Sequence, residues 1–325
     1  MEEKKVMQQM DNPTSMLNWT PNGPYNIGGR ITAIAVNPQN PNIIIAGAAA
    51  GGIFKTTNGG LNWTAKTDQW PSLSVGALVM HPVNPNIIYC GTGEGNSAID
   101  VYPGFGVLKS TDMGETWNIS GLTEALHIPA MDIHPLDPNI IYASVMAFRS
   151  FGQNKGIYKS TNGGVNWNKV LFVSDSTSGV DVKVSPDDLN LVYAAMWERI
   201  RTPPSISKTG GISSGLYRSS NGGANWQLLG VSQGIPAPAV TTGRISIAVS
   251  RSNPNFVYSI FKTTTGNNIS GIYKSSNKGL NWTAMPMSGV QSSGFDWYFG
   301  LIEVDPTDHN KVYIGSVDIF RTTNG

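Results

Sequence analysis

Residues 52–63 read GIFKTTNGGLNW, and nearly the same string returns as GVLKSTDMGETW (106–117), GIYKSTNGGVNW (156–167), GLYRSSNGGANW (215–226) and GIYKSSNKGLNW (271–282). A sixth copy, DIFRTTNG, occupies 318–325. The tryptophan always follows the Asn or Asp by five residues: Asn58 to Trp63, Asp112 to Trp117, Asn162 to Trp167, Asn221 to Trp226 and Asn277 to Trp282. Chance does not keep that spacing five times, so the chain is built of repeats.

Working outward, a second element recurs between the tryptophan motifs, as in ITAIAVNPQNPNIIIAG from Ile31, ALVMHPVNPNIIYCG from Ala77 and IAVSRSNPNFVYSI from Ile247. Each is an apolar strand, a Pro/Asn/Asp turn and a second apolar strand. Joined to the tryptophan motif, one unit reads strand A, turn, strand B, variable loop, strand C, turn, strand D. Four antiparallel strands per unit predict an all-β fold, a β-propeller of four-stranded blades with about six blades visible. Strands A and B are apolar on both sides of the pleat, as packing between two neighbouring blades requires. The expected blades are 31–70, 75–123, 128–174, 180–232, 244–288 and an incomplete 299–325, preceded by a disordered polar segment at 1–16. Leu17-Asn18-Trp19-Thr20 repeats the tail of two motifs and reads as an orphan strand D, so 17–21 is a candidate closing strand. The leading expectation is a part of a seven-bladed or larger assembly, and six blades closed by that strand are the alternative.

Composition narrows the function classes. The chain has 325 residues, 40% hydrophobic and 13% charged, with 22 basic residues against 21 acidic. That balance gives no bulk attraction for nucleic acid or anionic lipid. The one cysteine, Cys90, lies in an apolar run and excludes an internal disulfide. No run of about 18 apolar residues suggests a membrane span. No metal-ligand spacing or nucleotide fingerprint occurs, because GTGEGN at 91–96 follows a strand but leads into a loop, so no cofactor and no metal are expected.

In the motif itself, the Asn or Asp oxygen accepts turn amides, the following glycine takes positive φ, and the preceding Ser or Thr ties off the same turn. The indole is expected to cap its own C–D hairpin. Five of the six copies carry Asn, which keeps the acceptor without the charge and assigns Asn58, Asp112, Asn162, Asn221 and Asn277, with their tryptophans, to structure.

These repeats resemble Asp-box, or bacterial neuraminidase, repeats such as those of sialidases, sortilin-type receptor domains, xyloglucan-degrading endoglucanases and photosystem II assembly propellers. GPYNIGGRITAIAVNP with GTGEGN is similar to large secreted bacterial proteins of the sortilin-like and xyloglucanase-like group. The resemblance covers about 19–325 and implies the fold, usually with seven or more blades, an extracellular or cell-surface location, and a further propeller domain as partner. It leaves the activity open, because these relatives include enzymes, receptors and assembly factors.

Function is expected on the face of the variable B–C and D–A loops, opposite the repeated turns. The loop candidates for ligand binding are Arg30, Arg149, Trp197, Arg199, Arg201, Arg244, Trp297 and Tyr298. Aromatic faces and charged groups round a channel mouth suit a polysaccharide or an extended peptide. Arg30 and Arg244 occupy equivalent places and read equally as structural donors. His81 and His134 fall in A–B turns and read as turn residues. Glycoside hydrolysis needs two carboxylates, and the pool is Glu94, Asp100, Glu198 and Asp296. The xyloglucanase resemblance implies a catalytic Asp where this chain has Ala49 and an acid from a second propeller, and the sialidase-type Arg-Ile-Pro start is broken by Thr32. The leading expectation is therefore a binding module, with glycoside hydrolase as the alternative and an intracellular assembly scaffold as a third class.

Overall fold

A computed structural model describes residues 29–148, 154–202 and 205–325. The propeller unit is Ile31–Gly325, and Gly29 and Arg30 belong to the segment before it. The closing strand expected at 17–21 and the polar segment at 1–16 lie outside the described residues.

Six antiparallel sheets follow one another along the chain. The first is β1 (Ile31–Val36), β2 (Ile44–Ala48), β3 (Gly52–Thr56) and β4 (Thr64–Ala65); the second is β5 (Val75–Met80), β6 (Ile88–Thr92), β7 (Val107–Ser110) and β8 (Asn118–Ile119). The third is β9 (His127–Ile133), β10 (Ile141–Met146), β11 (Gly156–Ser160) and β12 (Asn168–Leu171). In the fourth, β13 (Thr177–Ser185) and β14 (Asp188–Glu198) are separated from β17 (Gly215–Ser219) and β18 (Gln227–Leu228) by a two-stranded hairpin, β15 (Ile200–Thr202) and β16 (Ser205–Lys208). The fifth is β19 (Thr242–Val249), β20 (Val257–Thr263), β21 (Ile269–Ser275) and β22 (Thr283–Ala284). The sixth has three strands among the described residues, β23 (Leu301–Val304), β24 (Val312–Gly315) and β25 (Ile319–Thr322). The sheets are the blades of a β-propeller, with the inner strands β1, β5, β9, β13, β19 and β23 each packed on the next.

The repeated turn is built as its residues dictate. In the third blade Ser160 Oγ donates to Asn162 Oδ1 at 3.0 Å and accepts the Gly164 amide at 2.9 Å, while Asn162 Oδ1 accepts the Asn166 amide at 2.9 Å. The fourth and fifth blades repeat these bonds at Ser219–Asn221 and Ser275–Asn277. Asp112 adds a short bond from the Thr116 hydroxyl, 2.5 Å. Burial works against its ionisation, but bonds from Thr116, Ser110 and the Glu115 amide outweigh it and hold the carboxyl down to about 2.

The turn then serves its neighbour. Tyr89 of β6 donates its hydroxyl to the Gly163 carbonyl of the next blade at 2.9 Å, and Lys109 of β7 donates to the same oxygen at 2.9 Å. One blade on, Tyr142 and Lys159 converge on the Gly222 carbonyl at 2.9 and 2.8 Å. In both pairs the ammonium also lies over the tyrosine ring, at 5.2 and 5.3 Å from its centre.

Two indoles likewise act between blades. Trp167 donates to the Ser120 carbonyl at 2.8 Å and Trp226 to the Val170 carbonyl at 2.9 Å, both at the outer strand of the blade before. The expectation that each indole caps its own hairpin is corrected for Trp226, whose bond goes to the neighbour; Trp167 bridges both, donating also to the Gly164 carbonyl of its own turn at 3.0 Å, and Trp282 bonds its own turn, at Gly279. Inner strands are latched too. Asp132 accepts the Val184 amide at 2.9 Å, and Asp181 accepts the Ile247 amide at 2.8 Å. Burial raises both carboxyls above the ordinary range.

Two outcomes test this reading. Tyr142→Phe and Lys159→Met should each cost about 1 kcal/mol in urea unfolding, and the double variant more than the sum, because only then does the Gly222 carbonyl lose both donors. The Asp112 carboxyl is depressed on folding, so its contribution is present above its ordinary value of 3.8 and lost as pH falls toward about 2. Denaturation midpoints of Asp112→Asn measured from pH 5 to pH 2 should therefore fall less steeply than those of the unsubstituted protein.

Candidate functional site

The B–C loop of the second blade turns inward after β6. Gly93 has φ +80°, and a Cβ there would stand 1.8 Å from the Leu126 carbonyl oxygen, so only glycine lets the chain pass against the third blade. Beyond it, residues 94–101 reach groups from three distant parts of the chain. Glu94 Oε1 accepts the Tyr298 hydroxyl at 2.8 Å and the Asn96 amide at 3.2 Å. Asn96 Oδ1 accepts Arg244 Nη1 at 3.0 Å. Ser97 Oγ accepts Arg199 Nε at 2.7 Å, and the Ser97 carbonyl accepts Arg201 Nη1 at 3.1 Å. Val101 then enters the core cluster that contains Trp197 and Phe148.

The opposing wall is the aromatic run Phe295-Asp296-Trp297-Tyr298-Phe299, of which Asp296–Phe299 form one helical turn between β22 and β23. Asp296 is fully buried and anchors it: Oδ2 accepts the Ile269 amide at 3.1 Å, and Oδ1 accepts the hydroxyls of Ser293, at 3.2 Å, and Ser316. Cations hold the other end. Arg244, in the bulge that opens β19, donates to the carbonyls of Trp297 and Tyr298 at 3.5 and 3.3 Å, and Lys262 donates to the Gly300 carbonyl at 2.7 Å. Burial lowers both cations from their ordinary values; the neighbouring Arg244 charge lowers Lys262 further, while Asp181 and Glu94 partly offset the effect on Arg244.

Between the walls lies an open cleft of about 640 Å³, lined by Ala98, Ile99, Asp100, Arg201, Phe295, Trp297, Tyr298, Phe299 and Val317. It is apolar except for Asp100, Arg201 and the tyrosine hydroxyl. Every lining residue comes from a B–C or D–A connection, on the face opposite the repeated turns.

The candidates named from sequence thus separate. Asp100, Arg201, Trp297 and Tyr298 meet at the cleft. Arg199, Glu94 and Arg244 stand behind it and hold its walls. Trp197, expected on a loop, is the penultimate residue of β14, paired with Ser178 and fully buried, with its indole donating to the Thr209 carbonyl at 3.0 Å. Glu198 also belongs to β14; it pairs with Lys208 and accepts the Ser213 hydroxyl at 2.6 Å. Burial opposes its ionisation, but Lys208 and Ser213 prevail and hold it below the usual carboxylate range. Arg30 is exposed in the segment before the propeller, and Arg149 lies outside the described residues. His81 and His134 serve their turns, accepting the amides of Asn84 and Leu136 at 2.9 and 3.1 Å.

Sequence reading missed Phe295, Phe299, Ile99, Val317 and Ser97. Four aromatics in five residues were a visible signal for the first two. Ser97 carried none, since its backbone at φ 60° is set by what surrounds it. A smaller cavity of about 70 Å³ beside the inner strands is lined by Asp132, Lys183, Arg251 and Glu303, and there Lys183 pairs with Glu303 at 3.6 Å.

No protein-family model matches the chain. It is 24% identical over 336 residues to the xyloglucanase Xgh74A of Acetivibrio thermocellus, a match covering 92% of this chain and 37% of that protein. Among solved structures it is similar to an ancestral GH74 enzyme (TM-score 0.67, 23% identity, 90% of this chain and 36% of that one). The Niastella koreensis GH74 enzyme (0.60, 21%, 91% and 44%) and the GH74 xyloglucanase from Xanthomonas campestris (0.57, 14%, 91% and 52%) are similar too. The chain is a β-propeller with xyloglucanase-type neighbours. It spans well under half the length of the curated relative.

The Tyr298 hydroxyl stands on the buried Glu94 carboxylate, so Tyr298→Phe removes a charge-assisted bond from behind the cleft. A loss of about 1–2 kcal/mol in urea unfolding is expected, with the far-ultraviolet spectrum unchanged.

Proposed function

We propose that this chain is the glucan-binding propeller of a xyloglucanase-type glycoside hydrolase. The observation that carries the reading is the cleft: an aromatic wall of Phe295, Trp297, Tyr298 and Phe299 facing Asp100 and Arg201. Sugar rings offer apolar faces that stack on indole and phenol rings, and their hydroxyls need a few placed acceptors and donors. The likeness to xyloglucanases favours an enzyme's propeller over a free-standing module, and the open cleft suits a polymer better than a small molecule.

Hydrolysis needs two carboxylates flanking the scissile bond. Asp100 is the one carboxylate among the described cleft-lining residues; Glu198 is consumed in its ion pair, and Asp296 is buried with both oxygens bonded. Glu94 likewise spends an oxygen on Tyr298 and Asn96. On this reading the chain binds and orients the glucan and offers Asp100, and the second acid comes from a further propeller domain. An extracellular location belongs to the same reading, because a plant-type polysaccharide is met outside the cell. No helix among the described residues is long and apolar enough to cross a membrane.

Calorimetry with xyloglucan oligosaccharides, cellohexaose, sialyllactose and an extended peptide tests this, alongside reducing-sugar release. Binding to the β-glucans alone is expected, with Trp297→Ala weakening it about tenfold, as loss of an aromatic platform does. Asp100→Asn should leave binding nearly unchanged and remove whatever turnover occurs. Absence of β-glucan binding, or preference for the peptide, would overturn the reading.

A further inference from the structure

The Arg199 guanidinium lies over two indoles at once, 5.0 Å from the ring centre of Trp197 and 4.9 Å from that of Trp297. Both distances are within cation–π range, which ends at about 6 Å. The rear indole cannot move, being fully buried and bonded to the Thr209 carbonyl. The cation is fixed as well: Nε donates to Ser97 Oγ at 2.7 Å, and Nη2 lies 3.5 Å from the Ser97 carbonyl. The front indole, Trp297, is the part of this stack that lines the cleft.

This arrangement runs against electrostatics. Arg201 donates to the same Ser97 carbonyl and also sits over Trp297, at 5.7 Å. Burial and the neighbouring Arg201 charge together pull Arg199 down to about 10. Among the described residues neither guanidinium forms an ion pair with a carboxylate. The compensation for a buried cation beside a partly buried one is thus the π faces and the Ser97 oxygens, which makes the stack depend on the indoles and the indoles on the stack. Arg199 is 4% exposed and does not line the cleft, so its effect on a ligand is exerted through Trp297.

We propose that Arg199 is the positioning residue of the cleft: pinned by Ser97 and backed by Trp197, its guanidinium holds the Trp297 indole where a sugar ring stacks on it. The positioning stands on the structure alone, while its consequence for ligands rests on the glucan-binding reading above. Arg201, which does line the cleft, is left to contact the ligand directly.

The test is acrylamide quenching of Trp297 fluorescence, obtained by difference between each protein and its Trp297→Phe counterpart, together with cellohexaose and xyloglucan-oligosaccharide binding. Arg199→Leu should raise the Trp297 quenching constant at least about twofold and weaken oligosaccharide binding about five- to tenfold, in line with loss of a partly desolvated cation–π contact. Arg199→Lys, which keeps a cation over the rings, should recover part of both effects; a variant that only loosened the fold would not show that rescue. Ser97→Gly removes the pinning hydroxyl at a position whose φ glycine accepts, and should move quenching in the same direction. It decides the matter if Arg199→Leu does not fold. Unchanged Trp297 quenching in whichever of Arg199→Leu and Ser97→Gly folds overturns the proposal. Altered quenching with no oligosaccharide binding by the unsubstituted protein would instead uphold the positioning and sink the glucan-binding reading.

Discussion

The carbonyl of the turn glycine, Gly163 or Gly222, is the point on which the ring depends. A buried carbonyl without a donor is costly, and a tyrosine hydroxyl and a lysine ammonium from the preceding blade supply two. The Ser/Thr and Asn/Asp side chains do not make this contact themselves. They hold the turn so that the glycines take positive φ and the carbonyl faces the neighbour. In the third and fourth blades one motif thereby closes its own hairpin and receives the blade before it, and an uncharged Asn suffices for both.

Because the clamp lies at the turn face, the opposite face is free of it. There the blades contribute connections of unequal length, and the longest of these carry the cleft. The second blade's loop is tied to Arg244 of the fifth blade, to Arg199 and Arg201 of the fourth, and to Tyr298 between the fifth and sixth. Its outer residues, 98–100, stand against the aromatic wall as a result. Most of the charge in this region is spent on structure. Asp296, Lys262, Arg244 and Glu94 fix backbone groups or one another, and among the described residues Asp100 and Arg201 are left lining the open space.

Repeats also show where packing is lacking among the described residues. Trp117 and Trp282 are nearly buried at 6% and 5% exposure, whereas Trp63 of the first blade is 43% exposed. Ile34 in β1 is 61% exposed, while Val182 and Ile247, at the equivalent place in β13 and β19, are fully buried. Each blade covers the next, and no described blade precedes the first. The same residue types thus have different environments by position in the array, which a repeat consensus does not reveal.

The sequence by itself determined the local structure: the turn, its hydrogen bonds, the strand order within a blade and the face on which the variable loops emerge. All of these follow from interactions within a few residues, repeated often enough to be unmistakable. It also displayed the recurring Tyr and Lys and the run Phe295-Asp296-Trp297-Tyr298-Phe299, though not their partners. Tyr89 finds its acceptor 74 residues on, and Tyr298 its carboxylate 204 residues back. Only the tertiary structure decided which charged candidates were consumed in holding the walls and which faced the cleft. Exposure and pairing at this site are set where three blades converge, and the spacing of residues along the chain carries no record of that meeting.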